Sequence, residues 1–346
     1  MTDGVKIPER VVPFPRSISE EAQAALRRLV DAQGVPVNSL HVMPAPEDRD
    51  AWMQVKAAAD RQYAAGMKGL AGTLRASVET RIVGDATVHV ATPEDMASAE
   101  RAYIDLHGGA LVFGGGEACR VGAQMQAVLH RVRCYGVDYR MPPEHHYPAA
   151  LDDCMAIYRH VLEQYAPHNI VIGGRSAGGN LAAATVLRAR DEGLPLPAGV
   201  VLLSPELDLT ESGDSFEVNR LVDVMLTGSL MPNNLLYAGG ADLTHPYLSP
   251  LFGDFGQGFP PVFLQSGTRD LFLSNAVRMH RLLRRANVSV ELHVFEAMPH
   301  GGFMGTPEDR ELAGEVARFV RERWLSPQSR PASGGIHLSP KGAPLK

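Results

Sequence analysis

The stretch from residue 170 to residue 190 constrains this chain more than any other. Ile170, Val171 and Ile172 form a short β-branched run that leads directly into Gly173-Gly174-Arg175-Ser176-Ala177-Gly178-Gly179-Asn180, and helix-forming residues follow from Ala177. A strand that turns straight into a helix leaves one residue in a strained backbone conformation, and large side chains beside it would strike the adjoining elements. Gly174, Ser176 and Gly178 supply the G-x-S-x-G spacing that such a turn demands. The serine hydroxyl then projects at a sheet edge. There the helix N-terminus adds partial positive charge, and the Ala177 N–H is free for a developing oxyanion. In a chain with 34 glycines the bare pattern is weak, and the strand-turn-helix setting is what gives it meaning.

The same alternation runs through most of the chain. Short strands are expected at 79–82 and 87–90 around a Gly84-Asp85 turn, followed by strand 102–106, helix 122–130, strand 132–139, helix 149–165, strand 170–173 and helix 177–190. Strands at 198–203, 262–265 and 290–295 and helices at 274–286 and 308–324 continue the pattern. Repeated βα units with short connections imply an α/β fold, a mostly parallel sheet covered by helices on both faces, with an antiparallel start. Ahead of it, Ile18, Ala22, Ala25, Leu26 and Leu29 fall at helical spacing within 17–30 behind a Ser17 cap. A second helix is expected at 48–67, broken by Gly66, Gly69 and Gly72. Residues 1–75 thus form a helical preface and 76–325 the main domain. The acidic, Gly-rich segment 205–248 reads as an insertion over the strand ends, where substrate contacts belong. Residues 326–346 hold little that could pack and are expected to be a flexible tail.

Composition sets what can be excluded. With 346 residues and 45% hydrophobic content the chain fills a substantial core without disulfide staples. Its net charge of −6 is the wrong sign for attraction to nucleic acid or anionic lipid. Cys119, Cys134 and Cys154 match no zinc spacing and are odd in number, so buried free thiols in a reducing, cytoplasmic setting are expected. No apolar run approaches a membrane span, and the N-terminal residues lack a secretory pattern.

A serine in this turn needs a base and an acid to activate it, in the chain order Ser, acid, His. His300 follows strand 290–295 in Met298-Pro299-His300-Gly301-Gly302-Phe303, and Asp270 follows strand 262–265 in Gly267-Thr268-Arg269-Asp270. Both positions bring side chains to the C-terminal sheet edge where open α/β sheets bind ligands. Glu206 and Asp208 also follow a strand end, so Asp270 is the first choice of acid and Glu206 the reserve. The bland alternatives are a helix N-cap for Asp270 and a surface loop residue for His300. Upstream, His107-Gly108-Gly109-Ala110 follows strand 102–106 and can present backbone N–H groups to an anion. A phosphate loop would need Lys-Ser/Thr after the glycines or G-x-G-x-x-G opening a helix, and neither is met. His145-His146 lacks a third metal ligand at usable spacing, so a structural loop is the reading there. Arg278, Arg281, Arg284 and Arg285 read as the solvated face of a helix whose apolar positions are Val277, Leu282 and Leu283. Met225, Met231, Phe252, Phe255 and Phe259 fit either an acyl pocket or plain core.

With the elbow and the HGG loop, Asp138-Tyr139-Arg140, Pro143-Glu144-His145, Tyr147-Pro148-Ala149-Ala150, Asp153, Leu203-Ser204-Pro205, Asp208-Leu209-Thr210 and Ser249-Pro250-Leu251 closely resemble the hormone-sensitive-lipase-like branch of the α/β-hydrolases, the bacterial family IV esterases, over roughly residues 17–325. That resemblance implies an eight-stranded α/β-hydrolase sheet and a helical cap built from the N-terminal helices and part of 205–248. It implies a triad of Ser176, Asp270 and His300. It also implies an oxyanion hole from the amides of Gly109, Ala110 and Ala177, with Gly108 shaping the turn. Three departures stand out: Ala110 replaces a third Gly, Arg175 stands where the family commonly has Asp, and Asp270 is followed by Leu271-Phe272-Leu273-Ser274-Asn275 in place of an acid-rich continuation. Glu206 also stands where an aromatic is frequent. The expected function is a serine carboxylesterase acting on short- to medium-chain acyl esters of small molecules, without metal or organic cofactor. Lactone hydrolysis on the same triad, acyl transfer to an alcohol and a non-catalytic ligand receptor are the rivals. Capped relatives are often homodimers, and the sequence leaves the subunit number open.

Overall fold

Apolar and β-branched residues at alternating positions form eight strands: β1 (Ala76–Val83), β2 (Ala86–Pro93), β3 (Ser98–Leu106), β4 (Val132–Asp138), β5 (Ile170–Arg175), β6 (Gly199–Leu203), β7 (Val262–Gly267) and β8 (Val290–Phe295). The computed structural model describes residues 4–6, 8–40 and 42–325, so the tail expected at 326–346 lies outside the described residues. The strands join one sheet in the order β1-β2-β4-β3-β5-β6-β7-β8. Pairing is antiparallel for β1/β2 and β2/β4 and parallel for every other neighbour pair. The helices are α1 (Glu20–Arg28), α2 (Arg49–Ala71), α3 (Glu117–His130), α4 (Ala149–Leu162), α5 (Ala177–Asp191), α6 (Ser215–Val218), α7 (Met231–Ala238), α8 (Leu273–Arg285) and α9 (Pro307–Arg323).

Because successive strand residues point to opposite faces, each strand divides its apolar residues between two cores. Ile104, Ile170, Ile172, Val200, Leu202 and Leu264 pack with α4, α5 and α8. Tyr103, Val171, Val201 and Phe263 face the other way, against Ala123 and Ala127 of α3 and Leu312, Val316 and Phe319 of α9. Burial on both sides explains why the central strands read as continuous apolar runs.

The preface is helical as expected, with two differences in its ends. The cap of α1 is Ser19, not Ser17: its Oγ accepts the Ala22 N–H at 3.1 Å and donates to Glu308 at 2.9 Å, fastening α1 to the start of α9. Helix α2 continues through Gly66 and Gly69 and ends only at Ala71, with Gly72 as its cap. Both internal glycines face open space, where each costs about 1 kcal/mol relative to Ala without stopping the helix. In α8 the buried residues are Asn275, Ala276, Met279 and Leu283, with Leu282 packed on the core as expected, whereas Val277 turns outward. Arg278 of that helix is no free surface cation, since it pairs with buried Asp208 at 2.7 Å. All three cysteines are buried and unpaired. None of the described helices is long and apolar enough to cross a membrane.

Candidate active site

Ser176 sits between β5 and α5 with φ 57° and ψ −123°, a backbone conformation that costs a non-glycine residue about 1–3 kcal/mol. Its surroundings hold it there. The Ser176 N–H donates to the Leu203 carbonyl at 2.9 Å, and its carbonyl accepts from Asn180 and Glu206 at 3.2 Å. Gly178 lets α5 start against the end of β3, since a Cβ at that position would lie 1.9 Å from the Leu106 carbonyl oxygen.

Two turns at neighbouring strand ends reach this serine. His300 Nε2 lies 3.0 Å from Ser176 Oγ, and His300 Nδ1 lies 3.1 Å from Asp270 Oδ1. Asp270 is fully buried and the other two nearly so. The Asp270 carboxylate also accepts the Ser266 hydroxyl at 2.8 Å and the Phe272 N–H at 2.9 Å, so it caps its own turn while holding the imidazole. Burial alone would push this carboxyl up. The charge and hydrogen bond of His300, with the Phe272 N–H, outweigh that and hold it below its usual range.

The HGG loop lies alongside. A Cβ on Gly108 would come within 3.4 Å of Ser176 Cβ, which puts this loop against the elbow. Gly109 has φ +127°, and a Cβ there would lie 2.1 Å from the Phe113 carbonyl oxygen, so only glycine fits. Ala110 follows at φ 50°. Ala177 is the first residue of α5, where an amide has no acceptor within its own helix. The loop is braced on both sides. Tyr139 donates to the His107 carbonyl at 2.8 Å and stacks on its ring, while Asp60 of α2 accepts the Gly114 N–H at 2.9 Å. Trp52 of α2 is buried against Val112 and Phe113. A cleft of about 560 Å³ lined by Lys56, Asp60, Arg61, Gly116, Arg140 and Glu144 opens between α2 and the end of this loop. It is lined by neither Ser176 nor His300.

A family model described as the alpha/beta hydrolase fold matches residues 103–304. The crystal structure of an esterase, E25, superposes with a TM-score of 0.85 at 33% identity, covering 93% of this chain and 99% of that one. An esterase described as belonging to the bacterial hormone-sensitive lipase family superposes with a TM-score of 0.74 at 27% identity, covering 89% of this chain and all of the other. The acetyl-hydrolase of Streptomyces hygroscopicus is 33% identical over 229 residues, 64% of this chain and 75% of that protein. The chain belongs to the hormone-sensitive-lipase-like branch of the α/β-hydrolase fold family.

In this α/β-hydrolase the reserve acid does not meet the base: His300 Nδ1 is taken by Asp270, and the Glu206 side chain is fully buried. Burial, then the charges of Glu211 and Asp208, lift the Glu206 carboxyl to about 8 against the pull of the nearby Asn234 amide. Arg175 is half-buried and donates to the Gly301 carbonyl at 3.1 Å, so the departure from the family pattern braces the His300 turn. Burial lowers its pKa, and the nearby Asp309, Asp270 and Asp105 carboxylates oppose that. His145 and His146 are exposed, and His146 Nδ1 meets the Leu236 carbonyl, a structural loop as expected. Phe255 and Phe259 belong to the main core, Met225 packs with the α1 cluster, and Phe252 is exposed. Among the described residues one cluster, His107, Cys119 and Asp138, brings possible ligand atoms within 4.8 Å of one another. Its members already serve the loop, through His107 Nδ1 to the Gly108 carbonyl and Asp138 to the Gly116 N–H.

Two acids went unnoticed in the sequence. Asp309 accepts the N–H groups of Phe303, Gly305 and Thr306 and shapes the turn after His300. Thr306 and Asp309 form a capping box, a pattern legible at Thr-x-x-Asp just before α9. Asp223 accepts from Leu271 and His300, and nothing in its local sequence marks it.

Proposed function

We propose that this carboxylic ester hydrolase cleaves its substrate through an acyl-enzyme formed on Ser176. His300 takes the Ser176 proton as the oxygen attacks the ester carbonyl, and Asp270 holds the imidazole tautomer and stabilises its cation. The amide N–H groups of Gly109, Ala110 and Ala177 donate to the oxyanion, with Gly108 letting the loop lie against the elbow. His300 returns the proton to the departing alcohol, and water repeats the sequence to release the acid.

The observation that carries this reading is the continuous hydrogen-bond chain, 3.0 Å from Ser176 Oγ to His300 and 3.1 Å from His300 to Asp270. The name of one relative, an acetyl-hydrolase, supports the short end of the proposed short- to medium-chain range for this enzyme. Helices α1 and α2 with segment 205–248 serve as the cap over the strand ends. Unpaired thiols suit a reducing compartment, which makes the cytoplasm the proposed location.

Ser176→Ala is expected to cut p-nitrophenyl acetate and butyrate turnover by about a thousandfold or more and to abolish labelling by a fluorophosphonate. Undiminished turnover in that variant removes Ser176 from the mechanism. An unaltered enzyme that takes no label points instead to a ligand receptor. Rates on matched linear esters and lactones decide which carbonyl the pocket prefers.

A further inference from the structure

The acid and the base of the proposed triad sit on two separate turns, after β7 and after β8, and something has to set their spacing. A short piece of the 205–248 insertion reaches both. Asn219 Nδ2 donates to the Asp270 carbonyl at 2.8 Å and to the Thr268 carbonyl at 3.3 Å. Four residues on, Asp223 Oδ2 accepts the Leu271 N–H at 2.8 Å and the His300 N–H at 3.2 Å. The other oxygen, Oδ1, is anchored in its own segment by the Met225 N–H at 2.8 Å and the Leu226 N–H at 3.2 Å. Next to it, Val224 is buried against α1 with Ile18, Ala22, Leu26 and Met298, and Asn38 Nδ2 donates to the Met225 carbonyl at 3.1 Å.

We infer that Asp223, with Asn219, is a positioning bracket that fixes the Asp270 and His300 turns to each other and ties their alignment to the insertion and α1. This rests on the triad reading above and adds to it a residue that touches neither substrate nor Ser176. The physical case is one of geometry. All four groups meeting the Asp223 carboxylate are backbone N–H donors, so no neutral side chain of similar size can satisfy them together. An Asn amide would turn its NH₂ toward one of the two donor pairs. Hydrogen bonds to a charged acceptor are among the stronger ones available in a protein interior. Asp223 is fully buried, which keeps water from replacing it.

The carboxylate also faces the triad electrostatically. Burial and the charge of Asp270 lift the Asp223 carboxyl to about 6, while His300 and the N–H groups of Met225 and Leu271 pull it down. Above that pH it is an anion beside the imidazole. Asp270 and His300 are the titratable groups whose charges bear on it. It therefore adds to Asp270 in favouring the imidazolium that forms during attack.

The test compares Asp223→Ala and Asp223→Asn with the unaltered full chain. Steady-state kinetics on p-nitrophenyl butyrate, the rate of fluorophosphonate labelling and thermal unfolding are measured for each. Asp223→Ala is expected to lower kcat about thirtyfold or more and the labelling rate in step, with KM changed less than about threefold. Asp223→Asn, which keeps one donor pair, is expected to fall between the two. In both variants the acid limb of the kcat/KM profile moves to lower pH, since an anion favouring the protonated ring is gone. Asn219→Ala, which leaves the carboxylate in place, lowers kcat without moving that limb and keeps the bracket testable if Asp223→Ala does not fold.

Folded Asp223 variants with kcat and labelling rate within about twofold of the parent overturn the bracket, as does a loss of thermal stability with an unmoved acid limb. Failure of the parent itself to take the label would instead overturn the triad reading.

Discussion

At the scale of single residues, Glu206 is the clearest conflict between composition and location. A carboxyl shut away from solvent favours its neutral form, and burial lifts Glu206 to about 8. The unfolded chain ionises the same group near 4.5, so the raised folded value gives a stability term fully present below that pH and lost as pH climbs toward 8. We expect the unfolding temperature of the unaltered protein to decline across this window. Glu206→Gln, which has no proton to lose, should show a flatter profile and gain a few kcal/mol near pH 8. Parallel curves for the two proteins, followed by calorimetry, would mean that Glu206 is ionised in the fold. The triad residues are a contrast. Ser176 was legible because glycines and a strand-to-helix junction leave a local mark. His300 and Asp270 were legible because each follows a strand end in the required chain order. Asp223 was not legible, since its role consists of bonds to Leu271 and His300 that no local pattern encodes.

At the scale of elements, α2 is more than a preface. Asp60 accepts the Gly114 N–H, Lys56 donates to the Val112 carbonyl at 3.3 Å, and Trp52 fills the space between them and α7. The loop that carries Gly109 and Ala110 is therefore clamped from α2. Loss of one charge-assisted bond to that loop should relax its aim at the oxyanion. Asp60→Ala is expected to lower kcat about tenfold, with thermal stability changed little because Asp60 lies at the rim of an open cleft. Steady-state kinetics beside an unfolding curve checks this, and an unchanged kcat would detach α2 from catalysis. The run of glycines at its end misled a reading by breakers alone. Gly66 and Gly69 weaken an exposed helix by an amount that docking of the Trp52 end easily offsets. In α8, helical spacing identified the helix and the inward Leu282 and Leu283 but misplaced Val277. Val277 turns outward, while the polar Asn275 goes inward and donates to the Pro205 carbonyl at 3.4 Å.

At the scale of the whole molecule, stability and chemistry occupy different places. The strands bury side chains on both faces, and Phe319 of α9 is a fully buried ring pressed on one of them, beside Phe263 at a centroid distance of 5.7 Å. Phe319→Ala removes a fully buried ring and should cost about 3–5 kcal/mol of unfolding free energy. Turnover per folded molecule should stay as it was, because Phe319 lies away from the elbow edge. Denaturant unfolding followed by kinetics on the folded fraction measures both, and a stability loss under 1 kcal/mol would mean the core collapses around the gap. The groups of the proposed triad gather instead at the ends of β5, β7 and β8. There the parallel sheet opens its turns side by side, and α1 packs beside them with Val224 and Met298.

By itself the sequence determined the order of strands and helices, the strand-to-helix turn at Ser176, the glycine loop at Gly108 and Gly109, and the chain order of the proposed acid and base. Each of these leaves a short-range trace, as an apolar period, a steric need for glycine, or a position just past a strand. Tertiary structure alone decided which of two eligible acids meets His300, that Arg175 braces Gly301, and that Asp223 and Asp60 steady the turns around the serine. Those choices depend on distances between segments far apart in the chain. Such distances are set by how the sheet, the insertion and the N-terminal helices pack together, and no local run of residues carries them.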